Sequence, residues 1–127
     1  MSHMFLQTAG QVLQCNCYGS VTMYDDTAVK NRYRVPIDVF VVVDGEYNTR
    51  IVGQSINANT TTDTFVWMLK AYLASRGCKQ PPVFIQDADL AIPRAMREVF
   101  PDAENRRCLW HQQQSIIEAI FQFSARR

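Results

Sequence analysis

The sequence predicts an α/β domain, in which a mixed sheet is built in the order β-β-β-α-β-α-β-α and has helices on both faces. Three β-type segments come first, between residues 20 and 57. From residue 61 onward, segments with helical spacing of apolar residues alternate with short apolar runs, a pattern typical of strands joined by helical crossovers. The length of 127 residues suits one domain with a single core.

The three leading strands are predicted from alternation and turn chemistry. The segment "SVTMYDD", residues 20–26, is a short β-type run that ends in two acids. Residues 35–43 and 49–57 are predicted to form a hairpin, because "DGEYN" between them contains the Asp-Gly pair that favours a tight turn. The apolar run 41–43 suits a strand that is covered on both faces.

A helix is expected next, in "TTTDTFVWMLKAYLASRG". A threonine or Asp63 can cap its start, and Gly77 can end it. One face of this helix would carry its apolar residues, which are Phe65, Met68, Leu69, Tyr72 and Leu73. The segment "PPVFIQD", residues 81–87, is the fourth predicted strand.

The last part of the chain predicts two more helices around a fifth strand. A helix with inward residues from Ile92 to Phe100 tolerates Pro93 only near its first turn. The segment "RRCLWH", residues 106–111, is predicted to be a short strand, and residues 112–124 a helix. The side chains of this last helix that we expect to face inward are Ile116, Ile117, Ile120 and Phe121.

The first 17 residues are expected to lie outside the core. "MSHM" resembles a remnant of expression cloning, so His3 is excluded as a site residue. Residues 5–14 have weak helical periodicity that Gly10 interrupts. We therefore divide the chain into a lead-in segment, 1–17, and a core domain, 18–127.

Composition limits the compartment and the partners. The formal net charge is +1, which is far from a strongly basic surface. The four cysteines include no Cys-x-x-Cys pair, so a reducing, intracellular setting is expected. The longest apolar run, 39–43, is far shorter than the roughly 20 residues of a membrane-spanning helix, so no membrane association is predicted.

Aspartates follow two of the predicted strands. Asp25 and Asp26 end the first strand and Asp87 ends the fourth. If these strands are parallel neighbours, their carboxylates meet at one edge of the sheet and repel each other unless a cation lies between them. Mg²⁺ or Mn²⁺ would suit such oxygen ligands, and a pair of ions could promote phosphodiester cleavage. The competing interpretation is that these aspartates are turn formers and helix caps, as Asp89 is expected to be.

Several further segments resemble the Mutator-like element (MULE) transposase domain, and plant far-red-response regulators domesticated from such transposases share them. The segments are "YDDTAVKNRYRVP", "TTDTFVWMLKAYL" and "IQDADLAIPRAMREVFPDAENRRCLWH", and together they cover about residues 18–115. The resemblance implies a ribonuclease-H-like fold and Mg²⁺-dependent cleavage and transfer of DNA strands. Asp25 and Asp87 match the two leading catalytic acids, and Cys108 and His111 match a Cys-x-x-His motif. The flanking positions that also match are Thr27, Asn31, Tyr33 and Pro36.

The resemblance also implies partners and a compartment. DNA at transposon ends is the implied substrate, a second copy of the chain is a candidate partner in a homodimer, and the nucleus is the implied compartment. Two departures from the family pattern are Ala28, which replaces a tyrosine, and Gln86, which replaces a threonine.

The third catalytic acid of the family is a glutamate that lies well beyond the Cys-x-x-His motif. Glu118 comes too early to match it, although integrase-type relatives carry a glutamate on the corresponding helix. We therefore expect a core that is truncated before its last acid and nearly inactive alone. The alternative is a domesticated domain that binds DNA or regulates transcription without catalysis.

Cys108 and His111 allow two interpretations. They could supply two zinc ligands, with Cys15 and Cys17 completing the four that structural sites need. In the other interpretation Cys108 is buried in the fifth strand, and His111 lies at the end of that strand, hydrogen-bonded or facing the active edge.

Overall fold

The computed structural model of the protein describes residues 3–27, 32, 35–87 and 91–126, with only the backbone at Thr27. The elements in these residues are β1 (His3–Leu6), α1 (Ala9–Tyr18), β2 (Val21–Thr27), β3 (Ile37–Val43), β4 (Thr49–Asn57), α2 (Thr62–Ser75), β5 (Val83–Gln86), α3 (Ala91–Val99), β6 (Glu104–Arg107) and α4 (Leu109–Ala125). The expected flanking residues Ala28, Asn31 and Tyr33, and the expected cap Asp89, lie outside the described residues.

The strands form one mixed sheet in the order β1-β4-β3-β2-β5-β6. The pairs β1–β4, β4–β3 and β3–β2 are antiparallel, whereas β2–β5 and β5–β6 are parallel. The predicted α/β class and mixed sheet are therefore confirmed. From β2 onward the observed order of elements is also the predicted one.

The chain before residue 18 is folded, contrary to the expected loose lead-in. β1 is an edge strand that pairs with β4, with Phe5 opposite Ser55. α1 begins with a capping box, in which the Gln11 amide donates to Thr8 Oγ1 (3.2 Å) and the Thr8 amide donates to Gln11 Oε1 (2.8 Å). The helical periodicity was weak because Cys15 is the one buried residue of α1.

The hydrophobic core lies on one face of the sheet. Strand residues that point to this face contact α1, α2 and α3, and the shared cluster centres on Phe40, which is fully buried. The Phe40 ring stacks on that of Tyr72, with centroids 4.2 Å apart. Other core side chains in the cluster are Tyr24, Val42, Val52, Phe65, Met68, Leu69, Phe84, Ile92, Ala95, Met96, Val99 and Phe100.

A buried polar network joins α1, β2 and α2 at one end of this core. The Tyr72 hydroxyl forms hydrogen bonds with Thr22 Oγ1 (2.8 Å) and Cys15 Sγ (3.3 Å). Arg76 Nη1 donates to the Gly19 carbonyl oxygen (2.9 Å) and to the same hydroxyl (3.3 Å). Because buried polar groups are costly when unpaired, these bonds fix the ends of α1 and α2 against β2.

The hairpin and the helix that follows it end where turn and cap chemistry predicts. Asp44 Oδ1 accepts from the amides of Glu46 and Asn48, both at 2.9 Å, and closes the turn between β3 and β4. Thr61 is the observed cap of α2, and Gly77 adopts a positive φ of 65° just after that helix.

The predicted fifth strand is displaced along the sequence. β6 ends at Arg107, Cys108 is the N-cap of α4, and His111 lies in the first turn of that helix. The apolar residues Leu109 and Trp110 therefore belong to the start of a helix. The prediction of a Cys108 buried in a strand, with His111 at the strand's end, is wrong.

α4 does not turn its apolar residues inward as predicted. None of its side chains is buried, and Ile120 and Phe121 are 59% and 71% exposed. Helices α1, α2 and α3 share one face of the sheet, and α4 reaches the second face through its first turn, where Trp110 and His111 line a pocket with Met23. The expectation of helices packed on both faces thus holds only for the start of α4.

Candidate metal and nucleic-acid site

The two candidate acids meet at one edge of the sheet, because β2 and β5 are parallel neighbours. Met23 lies opposite Ile85, and two residues further along each strand bring Asp25 level with Asp87. Both side chains follow the alternation of Met23 and Ile85, so they point to the second face of the sheet, away from the core. The predicted juxtaposition of these two strand ends is confirmed.

His111 joins the acids because the start of α4 is tied to the end of β5. The Cys108 amide donates to the Gln86 carbonyl oxygen at 2.7 Å, directly before Asp87. The first turn of α4 then places His111 Nε2 3.6 Å from Asp25 Oδ1. Each of the three side chains, Asp25, Asp87 and His111, offers one ligand atom, and these atoms lie within 4.8 Å of one another.

This arrangement fits a divalent cation. Two ligands about 2.1 Å from one ion lie about 3.0 Å apart in octahedral coordination and about 3.4 Å apart in tetrahedral coordination. The observed separations, 3.6 Å between His111 Nε2 and Asp25 Oδ1 and no more than 4.8 Å within the group, are longer, so the side chains would have to move closer together to bind one ion. The three groups are half-buried, so an ion would retain access to solvent or to a phosphate oxygen.

An apolar pocket of about 310 Å³ adjoins the acids on the second face. Its lining includes Met23, Val41 and Ile85 from the sheet, and Trp110 and His111 from the first turn of α4. The indole ring of Trp110 stands edge-on to the imidazole of His111, with centroids 5.0 Å apart, and remains 61% exposed.

Asp38 is a neighbouring carboxylate that sequence reasoning missed. It lies on β3 opposite Asp26, is 3% exposed, and accepts a hydrogen bond from Asn57 Nδ2. The Tyr24 hydroxyl lies close to the same carboxylate without forming a well-directed hydrogen bond. The sequence "IDVFVVV" could have indicated this, because strand alternation puts Asp38 on the same, buried face of the strand as Phe40.

Burial raises the pKa of Asp38 to about 6. The nearby Tyr24 hydroxyl and the hydrogen bond from Asn57 lower it, and the negative charges of Asp26 and Asp87 raise it further. Repulsion from Asp38 also helps to raise the pKa of Tyr24, for which burial is the largest cause. The edge of the sheet therefore carries carboxylates on both faces, which favours a compensating cation on the open face.

The proposed zinc group is not assembled among the described residues. Cys15 is buried in the core beside Tyr72, and Cys17 is exposed on α1. Cys108 lines the apolar pocket but is not one of the side chains whose ligand atoms converge. A zinc site built from four Cys and His ligands therefore lacks its expected partners in this part of the chain.

Glu118 does not reach the acids within the described structure. It lies seven residues, or about 10 Å along the helix axis, beyond His111 on α4, and its side chain is exposed. It is not part of the group formed by Asp25, Asp87 and His111.

Within the described residues, no helix is long and apolar enough to cross a membrane.

The sequence is similar to proteins named for a far-red response in Arabidopsis thaliana. It is 29% identical to Protein FAR-RED IMPAIRED RESPONSE 1 over 101 residues, and this alignment covers 80% of this chain and 12% of that protein. It is 29% identical over 111 residues to Protein FAR1-RELATED SEQUENCE 5, covering 87% of this chain and 14% of the relative. With Protein FAR1-RELATED SEQUENCE 4 the identity is 26% over 111 residues, covering 87% of this chain and 15% of the relative.

The chain thus spans only about an eighth to a seventh of the length of these relatives. The family model described as the MULE transposase domain matches residues 21–115, which run from the first residue of β2 into the first half of α4. The matched segment includes Asp25, Asp87, Cys108 and His111. This chain is a member of the MULE transposase domain family.

Proposed function

We propose that this chain is a transposase-derived domain of a nuclear regulatory protein, which binds DNA without cutting it. The observation that carries this proposal is the composition of the site, in which two carboxylates converge with a histidine. The similarity to proteins named for a far-red response supports it. In this proposal the domain has a ribonuclease-H-like fold, which the order of strands and helices supports.

Strand cleavage would need more than the described residues supply. Two-metal phosphodiester chemistry places one ion at the attacking oxygen and a second at the leaving oxygen. Asp25 and Asp87 together can hold one ion, and with His111 they leave few ligands for a second. The retained pair of acids therefore suits cation binding more than a complete catalytic centre.

The second candidate is the catalytic core of a Mutator-like transposase that acts on transposon ends. The convergence of Asp25 and Asp87 at parallel strand ends supports this candidate. A bound Mg²⁺ or Mn²⁺ would supply positive charge for water activation and for stabilising the leaving oxygen. The two carboxylates would orient the ions and the scissile phosphate. This candidate additionally requires a third acid near the pair.

DNA binding should be electrostatic and independent of divalent metal. Arg107 on β6 lies opposite Gln86, the residue directly before Asp87. It has no ion pair among the described residues, whereas Arg106 pairs with Glu104. We expect Arg107→Gln to weaken DNA binding and to reduce the slope of log affinity against log salt by about 1. Fluorescence anisotropy with a duplex oligonucleotide, across a salt series in EDTA and in Mg²⁺, measures both effects.

Arg106→Gln is the matched control, because Glu104 already offsets the charge of Arg106 and its removal should change the slope less. An affinity that vanishes in EDTA would contradict metal-independent binding. A parent chain with no salt-dependent affinity for DNA would contradict the proposed function as a whole.

We also propose a homodimer, which the sequence left open and which the surface of α4 supports. This helix carries one charged residue, Glu118, between its start and Ala125, yet its apolar side chains are exposed. The second face of the sheet exposes further apolar residues, among them Val43 and Ile51, so two copies could cover each other's helices.

We expect Ile120→Glu to shift the chain toward monomer in sedimentation equilibrium. Ser115→Glu, on the polar side of α4, should leave the association unchanged, and a monomeric parent chain would contradict the proposal.

A further inference from the structure

We propose that the outer edge of β6 (Glu104–Arg107) is a docking site for an extended acidic segment of another protein, which adds to the sheet as a further strand. β6 is the last strand of the sheet and pairs with β5 alone among the described residues. The inference goes beyond DNA binding and does not depend on it, because the partner is recognised through alternating backbone donors and acceptors, which a polypeptide strand complements.

The backbone of β6 has two residues whose hydrogen-bonding groups point away from the sheet. The Glu104 amide donates to the carbonyl oxygen just before β5 (2.8 Å), and the Cys108 amide donates to that of the last residue of β5 (2.7 Å). Since the bonding groups of successive strand residues point to opposite edges, Asn105 and Arg107 direct their N–H and C=O groups outward. These groups have no protein partner in the part of the chain that the structure describes.

The edge is also open on both faces of the sheet. All four side chains of β6 are exposed, so no described element covers the strand from above or below. An added strand on such an edge gains affinity from main-chain hydrogen bonds and specificity from its side chains. The strand at the opposite edge, β1, contains no Asp, Glu, Lys or Arg, so β6 is the charged edge of the two.

Two arginines select an acidic partner. Because successive strand residues alternate between faces, Arg106 and Arg107 place one guanidinium on each side of the edge. Arg106 pairs with Glu104, whereas Arg107 has no ion pair among the described residues. In an antiparallel pairing, the more stable kind, the first of two adjacent acidic residues lies opposite Arg107 and the second lies opposite Arg106.

A second copy of β6 complements this edge less well. If two β6 strands paired about Asn105, Glu104 would face Arg106 of the other copy. Arg107 would then lie opposite Ala103 and would gain no counter-charge. If the strands paired about Arg106 instead, its two copies would face each other, and like charges directly opposite destabilise a strand pair. An acidic segment supplies a partner for both arginines.

The probe for this site is a short fluorescein-labelled peptide in which valine and threonine flank two adjacent glutamates. Fluorescence anisotropy measures its binding to the parent chain in the absence of DNA. We expect Arg107→Gln to weaken binding about two- to fivefold, the size of an exposed ion pair. The same peptide with two lysines in place of the glutamates should not bind, because the arginines would repel it.

Asn105→Pro tests the contribution of the backbone. Proline removes the outward N–H of residue 105 and is tolerated at a strand edge where the N–H faces solvent. Asn105→Ala is the matched control, since it retains the N–H and, like the proline variant, lacks the side-chain hydrogen bond from Gln86. We expect Asn105→Pro to bind the acidic peptide about tenfold more weakly than Asn105→Ala does. Thermal melts followed by circular dichroism check that both variants fold.

Two N-methylated peptides separate strand addition from charge attraction without changing the protein. A methyl group on the amide of the first glutamate blocks a hydrogen bond to Arg107, whereas one on the second glutamate points away from β6. We expect the first peptide to lose binding and the second to retain it. The amides of Asn105 and Arg107 should also become protected from hydrogen exchange, measured by NMR, when the unmethylated peptide binds.

The proposal is overturned if the acidic peptide does not bind at millimolar concentration, or if both methylated peptides bind as tightly as the unmethylated one. The second result would make the edge a basic patch without strand addition. Self-association of the parent chain that Asn105→Pro abolishes would also overturn it, because a second copy would then occupy the edge. DNA affinity is measured on separate samples, so failure of the peptide to bind leaves the proposed function standing.

Discussion

Phe40→Ala should lower the free energy of unfolding by about 3–5 kcal/mol, the usual cost of deleting a buried aromatic side chain. Phe40 is fully buried and stacks on Tyr72, so its ring joins the middle of the sheet to α2. Its ring also lies within 6.4 Å, centroid to centroid, of those of Phe5, Tyr24 and Phe84. Urea unfolding followed by circular dichroism measures the loss, which is a large part of the 5–15 kcal/mol typical of a domain.

Val43→Ala on the same strand is the matched control. Val43 points to the second face and is 44% exposed, so we expect a loss of less than about 1 kcal/mol. Equal losses at positions 40 and 43 would contradict a core confined to one face of the sheet.

The folded state should lose stability as the pH rises from about 4 to about 6, through the carboxyl group of Asp38. The pKa of this group rises from 3.8 to about 6 on folding, so between these values the unfolded chain is ionised while the folded chain retains its proton. The unfolded state then binds fewer protons, and stability decreases with increasing pH. This loss of folding stability is absent below the unfolded-state pKa and complete above the folded-state pKa. It amounts to roughly 2–3 kcal/mol.

Asp38→Asn should remove this part of the pH dependence, because an amide can still accept the hydrogen bond from Asn57 and does not ionise. Chemical denaturation at half-unit steps between pH 4 and pH 7.5 measures the difference between variant and parent. Asp102→Asn, at an exposed position, should retain the slope of the parent. An Asp38→Asn variant with the slope of the parent would show that other carboxylates cause it.

The parts of the fold that the sequence predicted are those with strong local signals. The strand over 49–57, the turn after Asp44 and the helix that Gly77 follows combine periodicity with cap or turn chemistry, and their bounds agree closely with the structure. The parallel pairing that brings Asp25 to Asp87 was a condition of the sequence argument, and the structure shows it; given that pairing, the shared edge follows from the general rule for strand ends.

The parts that were missed lack such local signals. "CLWH" has an apolar composition that fits a strand as well as a helix, and the hydrogen bond from Cys108 to Gln86, a tertiary contact, accompanies the helical start. The apolar spacing in α4 indicated a helix correctly but could not indicate what covers it, since amphipathicity is the same for a core and for an interface. For His111 the sequence left open a zinc site or a position facing the active edge, and the structure places it beside Asp25, because the start of α4 is tied to the end of β5.

The most direct test of the central claim, a DNA-binding domain that does not cut DNA, is a nicking assay on supercoiled plasmid. The parent chain and the Asp25→Asn, Asp87→Asn double variant are incubated with DNA in Mg²⁺ and in Mn²⁺, at concentrations where anisotropy shows binding. We predict that the parent binds the DNA and produces no more nicked circles than the double variant. Metal-dependent nicking by the parent that the double variant loses would contradict the claim and identify the chain as a catalytic core.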